Sequence, residues 1–232
     1  MNTKTTTILL SIAFLVGCGI KAEYGCKPAL MPYVEYGYRA EARILSASHT
    51  PESNEIIEFH DIPLPLPAEW NYERLSGGKA IKFFNGLDQK FILMHEKSKN
   101  IQDDFSTFNL IGCNNFPDKK INKNSKDFYT DLYLFTETQI NNESDFWYYY
   151  ILWAKTKFLR NTVKLVHYSG KNIKAFQRIF DKRTSSGSNG IGMKAEIFFK
   201  NDDANYLLLV TDMTDDDFFI RFLEMVEAMN AF

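Results

Sequence analysis

The chain has 232 residues, with 27 Lys and Arg against 29 Asp and Glu, and the resulting net charge of −2 speaks against a basic nucleic-acid binder. Hydrophobic residues make up 45% and aromatics 15%, enough for a substantial core, which excludes general disorder. Three cysteines, Cys18, Cys26 and Cys113, leave one over if two of them pair.

Residues 1–17 carry one basic residue, Lys4, then an apolar run from Ile8 to Val16 broken only by Ser11, then Gly17. This is the pattern of a secretory signal peptide, and the run is far short of the roughly 20 apolar residues that span a bilayer. Its end reads Leu15-Val16-Gly17-Cys18, which resembles the lipobox of bacterial lipoproteins at all four positions. The resemblance implies a diacylglyceryl group on the Cys18 sulfur, cleavage before Cys18 and acylation of the new amino group with a palmitate-type chain. Several acyl chains, at about 0.8 kcal/mol per buried CH₂, make a lasting anchor. Gly19, where an Asp would hold the protein back, implies passage to the outer membrane, facing the periplasm. The competing reading is an ordinary signal peptide cut later, for example after Ala22. Loss of Lys4 with the leader takes the charge to −3.

With Cys18 carrying lipid, Cys26 and Cys113 remain, and an oxidising periplasm favours a disulfide between them. It would close a loop of roughly 90 residues, worth on the order of 4 to 5 kcal/mol. Two free buried thiols are the alternative. The organisation expected is a signal peptide over 1–17, a lipidated tether over 18–34 and a single α+β domain over 35–232.

Residues 35–45 alternate, placing Tyr36, Tyr38, Ala40, Ala42 and Ile44 on one face and Glu35, Arg39, Glu41 and Arg43 on the other, which predicts a half-buried strand. A polar loop over 48–55 precedes the apolar run 56–62. The prolines of PLPLPAEW (63–70) predict an extended edge or crossing segment, since proline has no N–H for a central sheet. Two apolar runs around Asn85-Gly86 predict a hairpin over 79–95. Residues 97–126, rich in Lys, Asn and Asp, read as a long surface excursion. Phe128, Leu132 and Leu134 alternating with Tyr129, Tyr133 and Phe135 predict a central strand.

Residues 145–160 read as a helix with Trp147, Ile151, Ala154 and Phe158 in a core stripe. Lys155, Lys157 and Arg160 complement its dipole, and Asn161 caps it. Strands follow over 163–168 and 173–180, then a mobile loop over 184–192 and a hairpin, 193–199 with 205–211, around the turn KNDDA. The C-terminus is a helix over about 214–230. Thr214 and Asp217 form its capping box, Phe218, Phe219, Phe222, Met225, Val226 and Met229 its apolar stripe, and Arg221, Glu224 and Glu227 lie away from that stripe. The sum is an antiparallel sheet covered by an internal and a C-terminal helix. PLPLPAEW, the hairpin after it, SGKNIKAF as a strand after the helix and the ending YLLLVT…FLEMVEAMNAF resemble the PsbP-like and DcrB-like sandwich over residues 60–232.

No catalytic residues, metal ligands or cofactor are expected. His49, His60, His95 and His167 have no zinc spacing, and the loop 185–190 lacks the nucleophile-elbow and phosphate-loop patterns. Asp103-Asp104, Asp202-Asp203 and Asp215 to Asp217 fall in loops, turns or a helix start, where solvated charge is the ordinary meaning. The aromatic surplus is more informative. Phe146, Tyr149, Tyr150 and Trp153 form a second cluster beside the core stripe, flanked by Lys157 and Arg160, a composition typical of binding hot spots, and Asp202 and Asp203 could steer a basic partner.

A lipobox, irregular polar insertions and a domain without catalytic residues resemble the lipoprotein immunity proteins paired with type VI secretion phospholipase effectors. That resemblance implies a cognate lipase-like toxin as partner, contact with the membrane through the lipid anchor, and inhibition by occluding the toxin's cleft. The other expectation is an envelope assembly or maintenance lipoprotein binding a resident protein or lipid. An unrecognised hydrolase, and translation from Met31 to a cytosolic form, are further alternatives. Cys18→Ser is expected to abolish incorporation of a palmitate analogue and release the chain from the membrane fraction; labelling that survives the substitution overturns the lipobox reading.

Overall fold

The computed structural model describes residues 40–46, 55–100, 123–135, 161–183 and 189–230, together with Trp147, Ile151, Ala154, Lys155, Phe158 and Leu159. Alternating burial organises the strands. The runs Thr162–Ser169 (β7), Ile173–Arg183 (β8), Asn189–Phe199 (β9) and Asp202–Thr211 (β10) form a meander by successive antiparallel pairing. Trp70–Arg74 (β4), Ala80–Asn85 (β5) and Lys90–Lys97 (β6) form another, and β6 pairs antiparallel with β10 to merge the two. Glu41–Ile44 (β1) adds parallel to β7, giving an eight-stranded sheet in the order β1-β7-β8-β9-β10-β6-β5-β4. Ile56–Phe59 (β2) and Ile62–Pro65 (β3) make a separate two-stranded sheet, which accommodates the prolines as expected.

The large sheet is apolar on both faces. On the first, Ile81, Phe83, Phe91, Leu93, Ile197 and Leu207 pack against the β2–β3 hairpin and the C-terminal helix Asp216–Met229. Phe83 stacks on Phe91 with centroids 4.6 Å apart, and Phe222 meets Phe91 edge-on at 5.2 Å. On the second, Leu165, Phe176, Phe198 and Tyr206 pack against the helix Ser125–Leu134 and the helical residues Trp147, Ile151 and Ala154. The result is a mixed α+β fold built on a mostly antiparallel sheet. No helix among the described residues is long and apolar enough to cross a membrane.

Several expectations are corrected. The segment 128–135 is mostly helix, not strand: Phe128, Leu132 and Tyr133 share a buried helix face, and Phe135 follows as the C-cap. Its start is set by a reciprocal capping box, in which the Asp127 N–H donates to Asn124 Oδ1 (3.0 Å) and the Asn124 N–H to Asp127 Oδ2 (3.2 Å). An aromatic run satisfies either period; the cap decides. In β1 the faces are reversed, with Ala42 exposed, Ile44 90% exposed and Leu45 buried. On the inward face Leu45 joins the core and Arg43 reaches Asp216 of the C-terminal helix (3.7 Å) while pairing with the exposed Glu41 (2.8 Å). Of the stripe Trp147, Ile151, Ala154 and Phe158, the first three are buried and Phe158 is 44% exposed. Lys155 is buried, donating to the Phe135 carbonyl rather than lying free at a helix end. Asn161 has φ 63°, the left-handed conformation expected of a cap.

The β5–β6 hairpin forms as expected, but its turn is longer than two residues. Asn85 Oδ1 accepts from the N–H groups of Leu87 (3.0 Å) and Gln89 (3.2 Å), and the positive φ falls on Asp88. The tight turn lies instead at His60-Asp61, with φ of 52° and 64°. Of the loop expected over 184–192, residues 189–192 belong to β9, and 184–188 lie outside the described residues. The C-terminal helix is capped by Asp215, whose side chain accepts from the Phe218 N–H, not by Thr214.

Glu224 and Glu227, expected away from the apolar stripe, are buried. Ser46 N–H donates to Glu224 at 3.3 Å. Glu227 fills the β7–β8 turn, accepting from the N–H groups of Lys171 (2.6 Å), Asn172 (2.8 Å) and Ile173 (2.8 Å). Gly170 is required beside it, because an added Cβ would collide with the Glu227 carboxylate. Glu227→Ala leaves those donors unpaired and is expected to cost about 2–4 kcal/mol in urea denaturation. Gly170→Ala is also destabilising, and the double variant is expected to cost less than the two separately; simple additivity would overturn the shared contact.

Candidate functional site

Alternate positions on three strands bring a polar cluster to the second sheet face: Arg178 from β8, Lys194 and Glu196 from β9, and Tyr206 from β10. The Ser125–Leu134 helix lowers Tyr129 and Tyr133 onto it. Glu196 is 1% exposed; it accepts from Tyr133 Oη at 3.4 Å and pairs with Lys194 Nζ at 3.1 Å. Burial raises its carboxyl above the ordinary range against the pull of Lys194. Burial likewise raises Tyr129 and Tyr133, and pushes Tyr206 up to about 12. The phenols therefore stay protonated and serve as neutral hydrogen-bond donors and acceptors. A raised carboxyl beside two cations is a combination found at functional sites as well as in structural networks. Sequence alternation places Lys194 and Glu196 on one face of the strand 193–199, but the helix that buries Glu196 was misread as a strand.

A second group joins the small sheet to the large one. His60, in the tight β2–β3 turn, stacks on His95 of β6 with centroids 4.2 Å apart and planes 17° apart, and Phe59 meets His60 edge-on at 4.7 Å. His60 Nε2 donates to the Gly78 carbonyl at 2.8 Å. Burial, then the neighbouring His60, holds His95 below its ordinary value, while Asp202 and Glu96 favour its protonation and Lys97 opposes it. His167 of β7 stacks on Phe176 at 5.1 Å, and its Nε2 is buried without a hydrogen-bond partner. Burial, reinforced by Lys174, brings it down to about 4. Among the described residues no three His, Cys, Asp or Glu side chains come together to hold a metal.

A third group lies under the other helix. Trp147 Nε1 donates to Asp131 Oδ2 at 2.6 Å, and burial brings Lys155 down to about 8 although Asp131 opposes the shift.

Of the residues singled out from sequence, Cys18, Cys26, Cys113, Phe146, Tyr149, Tyr150 and Trp153 lie outside the described residues. Asp202 organises its own turn, accepting from the N–H of Ala204 (2.7 Å) and the side chain of Asn205 (2.9 Å). Burial pushes its carboxyl up, but these bonds outweigh burial and hold it below the usual range. Asp203 projects outward, with a side chain 69% exposed, and pairs with Lys126 at 2.7 Å. No protein-family model matches the chain, and no curated protein matches it significantly.

The depressed histidines give a signed pH dependence. Their contribution to stability is fully present above the unfolded value of about 6.5 and is lost as pH falls below it, down to about 4 for His167. His167→Phe, which keeps the ring stack, is expected to remove about 1–2 kcal/mol of the stability lost between pH 7 and pH 4.5, after allowance for solvent screening. Urea denaturation at the two pH values measures it, and an unchanged difference would exclude His167 as a source.

Proposed function

We propose that the protein is a lipid-anchored, periplasm-facing binding protein of the outer membrane that neutralises a secreted interbacterial toxin, a phospholipase effector, by covering its cleft. The observation that carries this reading is the sequence Leu15-Val16-Gly17-Cys18 closing an apolar run, which would tether the domain to the surface where such a toxin works. Binding rather than catalysis is supported by how the described carboxylates are used. Glu196 is held by Tyr133 and Lys194, Glu224 by the Ser46 N–H, and Glu227 by the β7–β8 turn. Asp216 is held by Lys164 and Arg43. These charges organise packing.

Contact with the toxin is assigned to Phe146, Tyr149, Tyr150 and Trp153, with Asp202 and Asp203 at the rim. The exposure of Asp203, whose side chain is 69% accessible, supports a rim open to a partner. The finer fold proposed is the PsbP-like or DcrB-like sandwich, supported by a sheet covered on both faces and closed by a C-terminal helix. A second reading, an envelope lipoprotein that binds a resident lipid or protein, is favoured by the buried Arg178 Nε on the second sheet face, which has no hydrogen-bond partner.

Co-expression with the product of the adjacent open reading frame tests the first reading. A stoichiometric complex together with relief of growth inhibition is the expected result. A lipase-like neighbour that neither binds the full chain nor is neutralised by it would overturn toxin immunity.

A further inference from the structure

The register lays one row of side chains across the second sheet face: Arg178 is directly opposite Lys194, Lys194 opposite Val210, Val210 opposite Ile92, and Ile92 opposite Lys82. Like charges directly opposed on neighbouring strands repel unless an anion lies between or beside them. Lys194 turns to Glu196, which is also held by Tyr133 and whose buried carboxyl feels the charge of Arg178 without a direct bond to it. No hydrogen bond or ion pair joins Arg178 to a described residue, and its Nε is buried without a partner. The Phe180 ring lies 4.8 Å from the guanidinium and fixes its position. An oriented guanidinium with idle donors is matched to a carboxylate or phosphate, whose two oxygens accept from its fork.

Between Lys194 and Lys82, whose charge is met by Glu73 at 3.6 Å, the row is apolar. Val210 and Ile92 are partly exposed, and Leu208 and Met94 are paired beside them in the same state. From Arg178 to Ile92 the row crosses three strand spacings, about 14 Å. Headgroup and tail features are thus collinear and one side chain wide.

We propose that this row binds a single-chain anionic amphiphile, with Arg178 and Lys194 on a carboxylate or phosphate headgroup and the alkyl chain lying across Val210 and Ile92. The site deepens the second reading above and stands apart from toxin binding, so co-expression and ligand binding can fail separately.

Isothermal titration of the full chain with decyl phosphate, decanoate, inorganic phosphate and decanol, each below micelle formation, tests it. Saturable binding of decyl phosphate or decanoate is expected, and which of the two is tighter identifies the headgroup. Arg178→Gln is expected to weaken binding by about tenfold or more, with partial recovery in Arg178→Lys. Ile92→Ser, away from the buried cluster, is expected to weaken decyl phosphate while leaving inorganic phosphate unchanged. Equal binding of decyl phosphate and inorganic phosphate, equal binding of decanol and the anions, or a folded Arg178→Gln variant that binds like the parent would each overturn the proposal.

Discussion

The sheet is apolar on both sides, and the rest of the molecule follows from that constraint. Strand β8 shows it within a few residues: Ile173, Ala175 and Ile179 are buried on one face and Phe176 on the other. Each fully buried side chain of this size contributes about 1.5–3 kcal/mol only if the face is kept from water. One cover is therefore insufficient. The C-terminal helix and the β2–β3 hairpin close the first face, and the Ser125–Leu134 helix with Trp147, Ile151 and Ala154 closes the second.

Covering a sheet traps its polar groups, and the way each is satisfied fixes how the covers sit. Glu227, near the end of the C-terminal helix, fits only where three N–H groups of the β7–β8 turn converge. Asp216, at the start of that helix, meets Lys164 of β7 and Arg43 of β1. Two carboxylates about three helical turns apart thus orient the helix across the sheet, and the edge strand is held by the same ionic group. Inside the layer, Tyr168 Oη donates to Gln177 Oε1 at 2.7 Å with both side chains fully buried. Removing one member of such a pair exposes the other to the full cost of desolvation, so these groups select a single arrangement more than they add net stability.

Local patterns were legible where the deciding contacts are close in sequence. The β5–β6 and β9–β10 hairpins, the Asn161 cap, the edge role of the proline segment and the C-terminal helix all rest on neighbours a few residues apart. Phe128 to Phe135 reads as a strand because apolar and aromatic side chains on both sides of Thr130 and Asp131 fit a period of two as well as one of 3.6, although the Asn124 and Asp127 pair marks a helix start. Glu227 looks like a solvent-facing charge from the sequence, and nothing local marks Glu196 as buried, because their burial depends on elements tens of residues away: the Lys171-Asn172 turn around one, Tyr133 above the other. Ile44 failed for the same reason, since Arg43 is drawn inward by Asp216, 173 positions later in the chain.

The sequence by itself determined the strand-rich α+β class, most of the hairpins, the closing helix and an amino-terminal pattern that points to a lipid anchor. These rest on alternation, turn chemistry and a short linear motif, none of which needs a distant partner. Only the tertiary structure decided which charges are buried, which face of β1 turns inward, and that Arg178 stands opposite Lys194 at the head of an apolar row. Burial and cross-strand register are properties of pairs of segments, and alternation within one strand cannot say what its two faces will meet.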